Sequence, residues 1–386
     1  MLERRTLRNA DFILILVLLL LLGASLLILS TASINIEKSD PYHYVKVQGL
    51  WIATGLVLAF AAATVDYQYL RRFSWVIYGL NILLLVAVLI FGSEEKGATR
   101  WLLITDTQGI QPSEFAKVMV IVTLADFLSK REGKLNRYRD FILPFLFVLA
   151  PTLLIFKQPD LGTSIVVMAI FIGMMFVAGA NPKKMATILL GGAAIVGVAL
   201  YLHFATLPSW LQFAQGIPLP LQEYQLNRLT IFVDPTADMT GDGYHIIQSI
   251  WAIGSGGLWG KGYRMGTQSQ LNFLPEHHTD FIFAVVGEEF GFIGTLTLLF
   301  LFFIFLSRII KIAGNAKDTY GVLMTAGIAA LFIVHILVNI GMTLGIMPVT
   351  GIPLPLISYG GSAMWAGLIA AGLVYNIHLR RQRMLF

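Results

Sequence analysis

Apolar runs long enough to cross a bilayer recur along almost the entire chain, and they limit its possible folds more than any motif does. The first run, Phe12 to Leu29, holds 18 residues without a charge. A helix of about 20 apolar residues spans the hydrocarbon core and pairs its own backbone polar groups there. Hydropathy read over a window of about 19 residues gives ten spans, near 12–33, 46–65, 73–92, 114–129, 141–157, 162–180, 185–203, 280–306, 319–345 and 354–378. The expected fold is an all-α polytopic membrane protein. It has ten transmembrane helices in one integral domain over 1–386, with a large extracytoplasmic loop, 204–279, between helices 7 and 8. The fourth span is short and carries Glu114, Lys117 and Asp126.

Composition agrees. Only 13% of the 386 residues are charged and the mean hydropathy is +0.75, whereas a soluble domain is about 25% charged. Arg4, Arg5 and Arg8 before the first span imitate a signal sequence, but its length and the many spans after it make it a retained helix. With no cysteine, disulfides, thiolate metal sites and cysteine nucleophiles are excluded. Eighteen of the 27 Lys and Arg residues lie before the first span, in the loops after spans two, four, six and eight, or after the tenth. Such loops stay in the cytoplasm, so both termini are expected there. The net charge of +5 and pI near 9.3 therefore reflect membrane orientation, and nucleic acid is not an expected partner.

The opposite side is more than a set of turns. The 204–279 loop carries Trp210, Trp251 and Trp259 and amphipathic stretches such as "HIIQSIWAIGSGG", which suit helices at the interface. The 93–113 loop is also long and polar. No inverted repeat relates the two halves, which argues against the commonest transporter designs.

Charges inside such a chain need a reason. The stretch "LPEHHTDFIFAVVGEE", 274–289, places Glu276, Asp280, Glu288 and Glu289 at the mouth of span eight. On a helix, Ala284, Gly287 and Gly291 share a face with Asp280 and admit a close neighbour, turning Asp280 into the bundle. The bland alternative makes Asp280, or Thr279, a helix cap. Glu288 and Glu289 lie deeper and must be protonated, paired or in a wet cavity; pairing with other helices is expected. "QPSEFAK" spaces Glu114 and Lys117 as an i,i+3 pair. "KQPDLGTS" puts Lys157 and Asp160 at another helix junction, where a salt bridge within the turn is the simplest reading. Arg100 precedes span four, and His335 and Asn339, one turn apart, suit interhelical hydrogen bonds. The last loop, "GIMPVTGIPLPLISYGGSAMW", is uncharged and rich in Gly and Pro, a backbone that must be buried by protein or line a cavity. No glycine loop for nucleotide phosphates appears, and the adjacent His277 and His278 are wrongly spaced for metal ligands on one helix face. Acids and bases converging at one membrane face suit work on a polar group attached to a lipid; an enzyme and a flippase both remain open.

The sequence resembles the SEDS family, whose members polymerise peptidoglycan. The resemblance rests on "GTQSQLNFLPEHHTDFIFAVVGEEFGFIG" (266–294), "GATRW" (97), "QPSEFAK" (111), "KQPDLGTS" (157), "GYHIIQSIWAIGSGG" (243) and "PLISYGGS" (355), in the family's order. "GTQSQLNFLPE" and "SYGGSA" are closer to the elongation branch than to the division branch. The resemblance implies a bacterial cytoplasmic (inner) membrane enzyme that takes lipid II on the outer leaflet, extends an undecaprenyl-linked glycan and releases undecaprenyl pyrophosphate. It implies Asp280 as the catalytic residue and Arg100, Glu114, Lys117, Lys157 and Asp160 as substrate-binding residues. Glu276 and His278 are expected to orient the loop. An α-linked donor and a β product require inversion, hence one base rather than a nucleophile plus an acid. The departing pyrophosphate needs positive charge, from Arg100, Lys117 and Lys157 or from a divalent cation, magnesium or manganese; no cofactor is required by the sequence. The implied protein partner is a class B penicillin-binding protein, since no transpeptidase serine motif occurs here.

Overall fold

The computed structural model describes residues 11–36, 40–95, 98–105, 108–204, 223–239, 241–271 and 273–381. Trp210 lies outside the described residues. Among the described residues, twelve helices of eleven residues or more carry the architecture. They are α1 (Phe12–Ala32), α2 (His43–Thr64), α3 (Ser74–Phe91), α4 (Pro112–Ser129), α5 (Ile142–Lys157), α6 (Leu161–Val177), α7 (Pro182–Phe204), α8 (Glu223–Val233), α9 (Asp242–Gly256), α10 (Ile282–Gly314), α11 (Thr319–Thr343) and α12 (Gly361–Leu379). Each of the ten expected spans is occupied by one of these helices. Among the described residues, eight are long and apolar enough to cross a membrane. The two that fall short are α4, with its three charges, and the shorter α6.

The charges of α4 are not left bare. Asp126 accepts from Ser74 Oγ and Lys130 Nζ, both at 2.6 Å, and from Arg71 Nε at 3.3 Å. Close packing of the bundle depends on missing side chains: Gly372 of α12 lies against the backbone of Ala59 in α2, where no Cβ fits. α7 is apolar, yet none of its residues over 182–202 is buried.

Three expectations need correction. The 93–113 loop is not plain loop, so the fold is not purely helical. β1 (Ser93–Glu95), β2 (Ala98–Thr105) and β3 (Gln108–Ile110) form an antiparallel sheet in that order. "TRWLLIT" in β2 is rich in β-branched and aromatic residues, and folding it onto its flanks pairs backbone groups that helices would otherwise have to satisfy. Span eight extends to Gly314 and is broken at Gly291 (φ 64°), which lies against Gly260 and Leu258 with no room for a Cβ. Span ten begins at Gly361, because 344–360 is irregular backbone. Within the large loop, α9 is covered by protein on one face. Gly256 closes on Gly287 of α10, and Ser249 Oγ donates to the Thr343 carbonyl of α11 at 2.8 Å. Trp251 on the opposite face is exposed.

Candidate active site

Asp280 lies in the turn before α10, not on the helix. The N-cap of α10 is Phe281 and no side chain caps it, so neither Asp280 nor Thr279 serves there. Thr279 Oγ1 instead donates to the Glu276 carboxylate at 3.1 Å. Glu276 adopts φ 51°, and its carbonyl accepts from the amides of Thr279 and Phe281, both at 3.2 Å. Glu276 thus closes the turn that presents Asp280. His277 is buried, and its Nδ1 donates to the Leu274 carbonyl at 2.5 Å. Burial holds its imidazole below the usual pKa, because desolvation penalises the charged ring. The His278 ring packs at 5.2 Å from Tyr44 and 5.9 Å from Tyr359.

The irregular segment 350–353 joins this turn to the other polar residues. Asn339 Nδ2 donates to the carbonyls of Asp280 and Ile352, both at 2.8 Å. Gly351 has φ 71°, and a Cβ there would lie 3.5 Å from Asp280 Oδ2. One turn from Asn339, His335 donates from Nδ1 to the Pro353 carbonyl at 3.3 Å, while Nε2 lies 3.0 Å from Lys117 Nζ. An ammonium only donates and a carbonyl only accepts, so this His335 is neutral with its proton on Nδ1. Lys117 completes its bonds with Glu114 at 2.7 Å, and both side chains are buried. Glu114, Lys117, His335, Pro353 and Pro355 line a cavity of about 20 Å³, room for roughly one water. On the other side of the segment, Gly162 abuts Thr350 and Ile352, and its ideal Cβ would come within 2.8 Å of the Thr350 carbonyl.

Asp160 caps α6. It accepts from the Thr163 amide at 3.0 Å, Thr163 Oγ1 at 2.9 Å, Ser113 Oγ at 3.3 Å and Gln111 Nε2 at 3.4 Å. The expected bridge to Lys157 does not form. These shorter-range donors occupy the carboxylate, and Lys157 is exposed. Arg100 reaches from β2 to the carbonyls of Gln158 and Pro159, tying the sheet to this junction.

Glu288 and Glu289 are 0% and 1% exposed. Most of their partners lie in the segment 261–270, and Glu289 also meets Thr31 of α1. Glu288 accepts from Lys261 Nζ at 2.7 Å, the Gln268 amide at 2.9 Å and Thr267 Oγ1 at 3.1 Å; Glu289 accepts from the Arg264 amide at 3.1 Å and Gln270 Nε2 at 3.3 Å. Sequence reasoning missed the joining role of 350–353. Its one signal was a glycine, Gly351, set in a proline-rich stretch. Among the described residues, no three His, Asp or Glu side chains are grouped to share a metal ion. The carboxylates of Glu114, Asp160 and Glu288 are engaged by protein donors.

The helices and this cluster define a polytopic membrane protein with a carboxylate-centred polar site near one end of its bundle. The profile of the family described as cell cycle protein, comprising FtsW, RodA and SpoVE, matches residues 10–383, and the chain belongs to that family. It is 41% identical over 331 residues to the peptidoglycan glycosyltransferase MrdB of Escherichia coli K12, covering 86% of this chain and 84% of that protein. It is 34% identical to the peptidoglycan glycosyltransferase RodA of Treponema pallidum, covering 98% and 99%. A chain of a solved peptidoglycan synthase complex, which coordinates polymerization and crosslinking, superposes with a TM-score of 0.78 at 30% identity. That match covers 96% of this chain and 97% of the other.

Proposed function

We propose that this protein is a peptidoglycan glycosyltransferase that polymerises lipid II at the outer leaflet during cell elongation, with Asp280 as its general base. The observation that carries the assignment is the clasp at 350–353. Through it, Asp280, the Glu114–Lys117 pair with His335, and the junction held by Asp160 and Arg100 form one connected polar site. All ten long helices that match the expected spans cross the membrane in this reading, and the site faces outward.

In the reaction, the Asp280 carboxylate takes the proton of the acceptor hydroxyl. That oxygen forms the new bond to the donor's anomeric carbon from the face opposite the pyrophosphate. The bond from that carbon to the pyrophosphate oxygen breaks, and its electron pair leaves on undecaprenyl pyrophosphate. The configuration inverts in this single displacement. Lys117 is committed to Glu114 and His335, so its part is to hold the floor of the site. Arg100 and the exposed Lys157 are the cations placed to meet departing phosphate charge. The protein partner is a class B penicillin-binding protein that cross-links the strands, docked on α10, α11 and the large loop.

The test is a gel assay of glycan made from purified lipid II, with and without the partner. Asp280→Asn keeps the fold and lowers polymerisation by about 10²–10⁴-fold, the usual contribution of a general base. Polymer from the variant at the wild-type rate discards Asp280 as the base. No polymer from the wild type, even with the partner, discards the polymerase reading.

A further inference from the structure

We propose that Tyr44, Trp51, Tyr359 and His278 form a saccharide platform beside Asp280, a site for an uncharged pyranose on the acceptor side of the reaction. This rests on the polymerase reading above. Tyr44, Gln48 and Trp51 share one face of α2, spaced i, i+4 and i+7. Gln48 pins the facing backbone. Its Nε2 donates to the Ser358 carbonyl at 3.1 Å, and its Oε1 accepts from the Gly360 amide at 3.4 Å. The Tyr359 ring is thereby held 4.9 Å from Tyr44 and 4.8 Å from Trp51.

The platform is tied to the catalytic turn at two points. The Tyr359 amide donates to the His278 carbonyl at 3.1 Å, and Ser358 Oγ donates to the Thr279 carbonyl at 2.6 Å. Asp280 follows directly. Two residues of chain span at most about 7 Å, so the His278 and Asp280 Cα atoms are close enough for one glycan chain to reach both the platform and the base. Asp280 takes the acceptor's proton, which places the platform on the acceptor side.

Aromatics at a membrane surface commonly form an interfacial belt, and three features set this group apart. Its rings form one continuous cluster rather than standing singly. They meet at 64°, 68° and 46°, so no two are hidden face to face, and all four are only half-buried. Among the described residues, no Lys or Arg stacks on these rings: Lys46 is bound to Asp40 at 2.8 Å, and the Arg264 guanidinium lies over Tyr42 and Tyr263. Apolar ring faces beside the polar Glu276–Asp280 turn match the C–H face and hydroxyl rim of a neutral sugar, not a pyrophosphate.

The experiment uses the full chain in detergent micelles with a β-1,4-linked N-acetylglucosamine tetramer as the probe, read by saturation-transfer NMR. Transfer from aromatic protons to the sugar's C–H protons is expected in the wild type, reduced at least about threefold in Tyr44→Leu and Tyr359→Leu and restored in Tyr44→Phe and Tyr359→Phe. In the lipid II assay the Leu variants raise KM about tenfold with kcat within about twofold, and the Phe variants recover KM. Equal transfer in wild type and Leu variants overturns the platform. So does a loss of folded protein in the Leu variants with KM unchanged, which marks a belt that only anchors α2. Ring-dependent transfer without polymer from the wild type keeps the saccharide site and removes the polymerase reading instead.

Discussion

Lys117→Met separates what the buried pair does for the fold from what it does for the chemistry. The Lys117 and Glu114 side chains are 2% and 7% exposed and 2.7 Å apart. Removing the ammonium leaves the Glu114 carboxylate without its counter-charge in a low-dielectric interior and takes the donor from His335 Nε2. Breaking a buried pair from one side costs about 3–5 kcal/mol. Replacing both partners by apolar residues of similar volume is often neutral, so Glu114→Met combined with Lys117→Met recovers most of that loss. Glu114→Met alone completes the cycle, and the coupling between the two positions is at least about 3 kcal/mol, because each single variant strands a buried charge that the double variant removes. Unfolding in mixed detergent–SDS micelles, followed by far-ultraviolet circular dichroism, measures all three variants. Glycan synthesis by the folded fraction is assayed in parallel, and the double variant stays inactive because His335 and the segment 350–353 have lost their anchor. A Lys117→Met protein within about 1 kcal/mol of wild type would refute the argument, because the carboxylate it strands would then not be buried and paired as described.

Three further outcomes are expected. Glu289→Gln keeps an acceptor for the Arg264 amide but loses the charge that strengthens it; stability falls by about 1–2 kcal/mol while glycan synthesis well below the unfolding midpoint persists. Burial lowers the His277 pKa below the ordinary histidine value of about 6.5. The unfolded state therefore binds a proton more readily, and stability declines as pH falls below about 6.5 and levels off below the folded pKa. His277→Leu flattens that slope in a pH series of unfolding midpoints, and an unchanged slope would assign it to another group. Gly162→Ala puts a Cβ within 2.8 Å of the Thr350 carbonyl and 2.9 Å of Ile352. The backbone there has to move away, at a cost of about 1–3 kcal/mol. Synthesis drops by about ten- to a hundredfold through the displaced Ile352 carbonyl, which shares Asn339 with Asp280, and an unaffected rate would show that the clasp does not position the base.

Much of this molecule was determined by the sequence alone. Spans, charge bias and the Glu114–Lys117 pair depend on local periodicity, hydrophobicity and i,i+3 geometry, and these act over one helix at a time. Ten helices at the expected places follow from that, as do the His335 and Asn339 hydrogen bonds to neighbouring segments. Which groups meet depends on how distant segments pack. Asp160 takes Thr163, Ser113 and Gln111 rather than Lys157, because capping geometry and the start of α4 bring those donors nearer. Glu288 holds the 261–270 segment rather than another spanning helix, and Glu289 ties that segment to α1. Asp280 shares a site with Lys117 because the uncharged segment 350–353 passes between them, and hydropathy carries no record of that contact. Its hydrogen bonds are made by backbone carbonyls, which every residue type possesses, so only the folded path of the chain reveals where they point.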